Sequence, residues 1–169
     1  KEAIGYLFTL LAERYPGVEV ALKHGSSQEV LAGVRNGSMD ACYYNEADEP
    51  GQDLDTVEVS RFRIHLAAAP GVVALPASPD WRALAELPWI YPTSSTCCSH
   101  AAEALFKQYQ FRPQRVISVD RGSVTRSLIA SGLGLGLLHA DAAKDAAARG
   151  EVELLHEMDR PVRILFAVL

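Results

Sequence analysis

The densest run of side chains able to do chemistry is Thr93-Ser94-Ser95-Thr96-Cys97-Cys98-Ser99-His100. Hydroxyls both donate and accept hydrogen bonds, which suits a small polar ligand. The run opens a helical pattern that starts near Ser99 and places Ala102, Leu105, Phe106 and Tyr109 on one face. A helix start carries unpaired N–H groups and a partial positive charge, so it holds carboxylates and phosphates. A cap needs only one hydroxyl. The stretch Thr93, Ser94, Ser95 and Thr96 is longer than that, which makes all four candidate ligand residues.

The two adjacent cysteines invite sharper chemistry. Neighbouring cysteines rarely both point at one tetrahedral ion, so no metal site is expected. A cysteine at a helix start has a lowered pKa and reacts readily, which makes a redox switch one reading of Cys97 and Cys98. A vicinal disulfide is strained, and the plainer reading is small side chains filling a helix start. Elsewhere, Ser26 and Glu29 have capping-box spacing, so Ser26 and Ser27 mark a second helix start. Ser123 reads as the cap of a short helix through Ala130, and Asn45 and His139 close probable strands. Each has a structural reading beside the ligand one. The serines serve as caps, Asn45 as a turn residue, and His139 as a hydrogen-bonded structural histidine.

Other chemistries lack their motifs. Gly132, Gly134 and Gly136 follow a helix and precede a strand, the reverse of the dinucleotide-binding order, so close backbone packing is expected there. No nucleophile elbow, zinc-protease or phosphate-loop motif is present, and no nucleophile–base pair can be read. The sequence therefore points to binding and not to an enzyme, with no cofactor.

Composition narrows the class further. The chain has 169 residues, which suits one domain or two small lobes, and 49% are hydrophobic, enough for a core. The formal net charge is −5, and the 16 Lys and Arg residues are scattered. A duplex-binding surface needs clustered cations, so the chain is not expected to contact nucleic acid itself. No apolar run approaches the ~20 residues of a membrane span. An odd cysteine count without a disulfide framework favours a reducing cytoplasm.

The elements that must position these residues follow from periodicity. Ile4, Leu7, Phe8 and Leu11 give a first helix ending before Tyr15-Pro16-Gly17, and Val18, Val20 and Leu22 alternate as a strand. The second helix buries Val30, Leu31 and Val34 and stops at Asn36-Gly37, and a short strand spans Asp40 to Tyr44. Residues 46–55 are acidic with Pro and Gly, which suits a surface connection or hinge. Strands near Thr56–Val59 and Phe62–Ala68 come next, then a helix capped by Asp80. Strands at Trp89–Tyr91 and Arg115–Val119 flank the hydroxyl-rich helix. Leu133–Leu138, the helix Asp141–Arg149, and strands Val152–Leu155 and Val162–Leu169 finish the chain. The alternation predicts an α/β fold with largely parallel sheets.

In that order, Leu10-Leu-Ala-Glu-Arg-Tyr-Pro-Gly-Val-Glu-Val, Gly25-Ser-Ser-Gln-Glu-Val-Leu and Val34-Arg-Asn-Gly-Ser-Met-Asp-Ala resemble the effector domain of a LysR-type transcriptional regulator. Ile129-Ala-Ser-Gly-Leu-Gly-Leu-Gly-Leu-Leu, followed by Arg149-Gly-Glu-Val-Glu-Leu-Leu, resembles that family's later glycine-rich strand and its G-x-L strand. The resemblance implies a type II periplasmic-binding-protein-like fold of two Rossmann-like lobes with a central cleft. One lobe would hold residues 1–46 and 157–169, and the other 47–156. A small-molecule effector, anionic by the helix-start argument, would bind between them. The family's strand before the first helix, its last helix and its DNA-binding winged helix-turn-helix are expected to lie outside this sequence. Where the family commonly has Leu-Pro after the glycines, this chain has Leu138-His139. The resemblance also implies a homodimer, and Leu7, Leu10 and Leu11 exceed a single narrow stripe, as a dimer face requires. A transporter's solute-binding protein and a deaminase of related fold are the competing readings.

Overall fold

The computed structural model describes residues 2–45, 53–74, 78–93 and 96–169. The chain falls into two compact units, Lys1–Ser60 with Ile164–Leu169, and Arg61–Arg163. It passes from one to the other within β2 (Asp55–Phe62) and returns within β8 (Val162–Val168).

The first unit contains α1 (Glu2–Arg14), α2 (Ser27–Arg35) and β1 (Ala41–Asn45), and β8 lies between β1 and β2 in one sheet. β1 and β8 are antiparallel, from Ala41 opposite Val168 to Asn45 opposite Ile164. The Ser26 hydroxyl accepts from the Glu29 N–H, and the Glu29 carboxylate accepts from the Ser26 N–H, so α2 starts on a complete capping box. Val30, Leu31 and Val34 then share one face and bury against Cys42, Tyr44, Leu165 and Ala167. Arg35 grips Asp53 through Nε at 2.8 Å and Nη2 at 2.9 Å, beside buried Leu54. Along α1, Ile4, Leu7, Phe8, Leu10 and Leu11 are only partly buried.

The second unit is built on β3 (Ile64–Ala68), which is buried along its whole length. β3 lies between β6 (Gly136–His139) and β7 (Glu153–Glu157), antiparallel to both. β4 (Pro88–Pro92) and β5 (Arg115–Val119) pair in parallel. Helices α3 (Trp81–Ala85), α4 (Cys97–Tyr109), α5 (Thr125–Ala130) and α6 (Ala140–Ala148) cover these strands. Trp89, Leu66, Leu105 and Phe106 centre one core, and Ile129, Ala143 and Ala146 centre another. The Trp89 indole N–H, buried with its ring, donates to the Leu84 carbonyl at 2.8 Å.

Four expectations change. Val18, Val20 and Leu22 form no strand and are exposed, because alternation supplies a face but not the ladder partner a strand needs. The sheets are mainly antiparallel. β3 carries the chain into the second unit and β7 leads it back towards β8, so neighbours with opposite directions of travel pair. Ser123 is not the cap of α5. It sits in a 3-10 turn at Gly122–Val124, and Val124 occupies the cap position without a side-chain bond. The glycine-rich strand begins at Gly136 rather than Leu133, because Gly132 has φ +83° and turns the chain first.

Gly134 joins the two sheets. The Leu135 N–H donates to the Pro88 carbonyl at 2.9 Å, and the Ile90 N–H donates to the Leu135 carbonyl at 2.7 Å. A Cβ on Gly134 would lie 2.7 Å from the Pro88 oxygen, a backbone atom that cannot swing aside. Gly134→Ala should therefore cost about 1–3 kcal/mol, the usual range for overpacking. Gly5→Ala in α1 meets nothing within 4 Å and should be neutral or stabilise by up to about 1 kcal/mol. Urea midpoints of the two variants check both signs.

Candidate functional site

The register of β4 against β6 sets the site in the second unit. β4 delivers the chain to Thr93, whose N–H donates to the Val119 carbonyl at 2.9 Å and whose hydroxyl reaches the same oxygen at 3.5 Å. α4 then begins at Cys97, two residues before the start near Ser99 that the sequence suggests. Thr96 is its cap, with its hydroxyl accepting from the Ser99 N–H at 3.2 Å and its own N–H donating to the Ser99 hydroxyl at 2.8 Å. The first helical residue is Cys97. β6 ends beside it at His139.

Cys97 Sγ lies 3.1 Å from His139 Nε2. The imidazole also stacks on the Phe62 ring, with centroids 4.6 Å apart and planes at 23°. Cys98 Sγ lies 3.9 Å from the Leu137 carbonyl. One ligand atom from each of Cys97, Cys98 and His139 falls within 4.8 Å of the others. Both cysteines are free thiols and partly buried, whereas His139 is exposed, so the cluster has a solvent-facing side.

The electrostatics single out one sulfur. Cys97 is held as a thiolate, its pKa drawn down from 9.0 to about 5. The largest cause is a hydrogen bond from the Cys98 thiol. Burial opposes it, and the His139 ring and the Cys98 backbone N–H add to it. The single Cys98 proton has two acceptors in reach, and the charged sulfur is stronger than a carbonyl 3.9 Å away. Cys98 moves the other way and stays protonated, first because it donates to Cys97 and second because it is buried. His139 is raised from 6.5, chiefly by its bond to Cys97. At neutral pH the site therefore holds a thiolate on Cys97, with the neutral Cys98 thiol behind it and a His139 ring whose protonated form the thiolate favours.

The remaining sequence candidates are distributed as follows. In the first unit the Asn45 N–H donates to the Ser27 hydroxyl at 3.4 Å, so these two come together, with Asn45 buried. Ser26 spends its hydroxyl on the capping box. In the second unit Thr96 and His139 converge on Cys97, while Ser123 is exposed on its 3-10 turn. Ser94 and Ser95 lie outside the described residues. The Cys97–His139 contact could not be read from spacing, because its partners are 42 residues apart and meet only through the pairing of β4 with the stretch before β6. The two neighbouring sulfurs and the His139 ring nitrogen nevertheless lie close to one another.

The family model described as LysR substrate binding domain matches residues 4–169. No curated protein matches the sequence. Among solved structures, the CcmR regulatory domain of Synechocystis PCC6803 in complex with 2-PG is 22% identical at a TM-score of 0.69, covering 99% of this chain and 82% of that one. Full-length LysG from Corynebacterium glutamicum with bound Arg is 20% identical at a TM-score of 0.71. The match covers 96% of this chain and 55% of LysG, so the chain spans about half of that regulator. The reduced regulatory domain of OxyR2 from Vibrio vulnificus is 13% identical at a TM-score of 0.72, covering 98% and 79%. The fold is thus that of the type II periplasmic-binding proteins, and the chain belongs to the LysR substrate binding domain family.

Proposed function

We propose that this chain is the effector-sensing part of a LysR-type transcriptional regulator, acting in the cytoplasm by binding and not by turnover. A small polar molecule shifts it between two arrangements, and a separate DNA-binding segment reads the shift. A ligand moves such an equilibrium only by its differential affinity for the two states. The observation that carries this reading is the family match over residues 4–169 together with the polar cluster at the end of β6 and the start of α4. Ligands in open α/β sheets sit at the carboxyl ends of strands, where β4 and β6 deliver Thr93 and His139. The regulators CcmR and LysG bind 2-PG and Arg, which are small molecules of the size this reading requires. In the first unit, Ser27 and Asn45 form a separate polar pair. Anionic metabolites suit the free N–H groups of a helix start, although at α4 an incoming anion meets the Cys97 thiolate.

A thermal-shift screen of metabolites tests the reading. Ligand at about 100 times its Kd adds roughly 2.7 kcal/mol to the folded state. Ser27→Ala, Thr93→Val and His139→Ala should each shrink the shift from an active metabolite. If no small molecule stabilises the chain, the sensor reading fails.

The Cys97 pair gives a second test. Iodoacetamide alkylation at Cys97 should rise as pH climbs through about 5 and level off by neutrality, where an ordinary thiol is still titrating near ~8.5. Cys98→Ala and His139→Ala each remove a cause of the lowering, so both should move the midpoint upward. A bound effector should slow the reaction. Intact mass should show one adduct, since burial pushes the Cys42 thiol up and Cys98 stays protonated.

The proposed homodimer uses α1, whose Leu7, Leu10 and Leu11 are only partly buried within the chain. Leu10→Asp should convert a dimer to a monomer in sedimentation equilibrium. An unchanged mass would remove α1 from the interface.

A further inference from the structure

The cluster at the start of α4 has the makings of a cation site as well as a metabolite contact. Helix starts attract external anions, but this one is already served from within, because the Cys98 backbone N–H and thiol both point at the Cys97 sulfur. The donor set gathered there is two partly buried sulfurs and one nitrogen of the exposed His139 ring. Sulfur and imidazole ligands favour thiophilic d10 cations over hard oxygen-seeking ones. Around one tetrahedral ion, with metal–sulfur bonds of about 2.3 Å and metal–nitrogen bonds of about 2.0 Å, ligand atoms lie roughly 3.5–3.8 Å apart. Here Cys97 Sγ and His139 Nε2 are 3.1 Å apart, and all three ligand atoms lie within 4.8 Å. Small rotamer changes therefore bring them onto one ion without moving the backbone.

The scaffold around the three is firm where it needs to be. The capping box of Thr96 and Ser99 fixes the first turn of α4, and the Phe62 ring fixes the plane of His139. Cys98 packs against the core cluster of Leu66, Leu105 and Leu137, so its sulfur cannot swing out to solvent. Exposure of His139 supplies the way in.

We propose that Cys97 Sγ, Cys98 Sγ and a ring nitrogen of His139 form a three-ligand site for a thiophilic divalent d10 cation such as Zn2+, with a fourth position open to water or to an effector. Two thiolates and a neutral imidazole balance the charge of one divalent ion. Binding forms two metal–sulfur bonds and one metal–nitrogen bond, and the protons displaced from sulfur and imidazole leave to solvent. No oxidant or reductant takes part. The proposal deepens the sensor reading by naming a ligand class for the second unit, and it rests on that reading only for its regulatory consequence.

The test is titration of the reduced chain, under argon, with Co2+ and then Cd2+ as spectroscopic probes. One equivalent should bind, with thiolate-to-metal charge-transfer absorption and, for Co2+, the intense visible bands of a tetrahedral ion, and Zn2+ should displace the Co2+. Cys98→Ser and His139→Ala should each weaken binding about 100-fold or more, since even outer partners of metal ligands are worth 10–100-fold. Cys42→Ser should leave binding unchanged. Circular dichroism checks that each variant is folded, and exposed His139 provides a variant that leaves the core alone. Absence of charge-transfer absorption, or its survival in both Cys98→Ser and His139→Ala, overturns the site. A chain that binds a metabolite but shows no such absorption overturns this proposal and leaves the sensor reading standing. A chain that shows it while no small molecule stabilises the fold supports the site and sinks the metabolite reading.

Discussion

The approach of the Gly134 backbone to Pro88 is the constraint on which the second unit depends. It lets Leu135 bond on both sides to β4, at Pro88 and at Ile90, and so joins the parallel pair β4–β5 to the antiparallel sheet around β3. A side chain at Gly134 would occupy the space of the Pro88 oxygen. Once the two strands are in register, the end of β4 and the end of β6 have no freedom to drift. Five residues beyond the end of β4 the helix α4 starts at Cys97, and β6 ends at His139. A contact of 3.1 Å between residues far apart in sequence is therefore a consequence of backbone packing several residues away.

Local signals were legible in the sequence, and long-range ones were not. The capping box at Ser26, the Asp80 cap of α3 and the helix stop at Asn36-Gly37 all involve residues within four positions of each other, and all are present. The three glycines read as close packing, and Gly134 is packed closely. Strand direction depends on where the chain must go next, which no window of residues contains, so the parallel expectation gave way to antiparallel pairs around β3. Val18, Val20 and Leu22 alternate well enough, but a strand also needs a partner edge, and alternation carries no information about one. The family likeness succeeded for a different reason. It used the order of many weak local signals at once, and order survives where each signal alone is ambiguous.

The candidate site shows the same division. Each of Thr96, Cys97, Cys98 and His139 could be named from its type and its place at a helix or strand end. Their convergence could not, and neither could its electrical result. The positive end of α4 invites a foreign anion, yet the nearest anion is the helix's own first side chain. That thiolate in turn favours the protonated form of His139 and raises its pKa. A general expectation about helix starts thus becomes specific to this chain, because here the helix opens with two cysteines. A ligand that bound here would have to displace the His139 ring from the sulfur, complement the pair as it stands, or bind the sulfurs directly.

Binding at this cluster would be felt inside the second unit and not only at its surface. Cys97 is the accessible member, but Cys98 packs on the same cluster as Leu66, Leu105 and Leu137, and its proton is tied to Cys97. Removing the charge on Cys97 releases that proton's partner, and the Leu137 carbonyl on β6 is the next acceptor in reach. β6 is also the strand whose approach to β4 fixes the site. Close-packed cores pass such changes on as small shifts of whole elements, because they have little free volume in which to absorb them. A ligand bound at Cys97 and His139 would thus act on the α4–β6 junction that positions these residues, which would give a surface cluster leverage on packing.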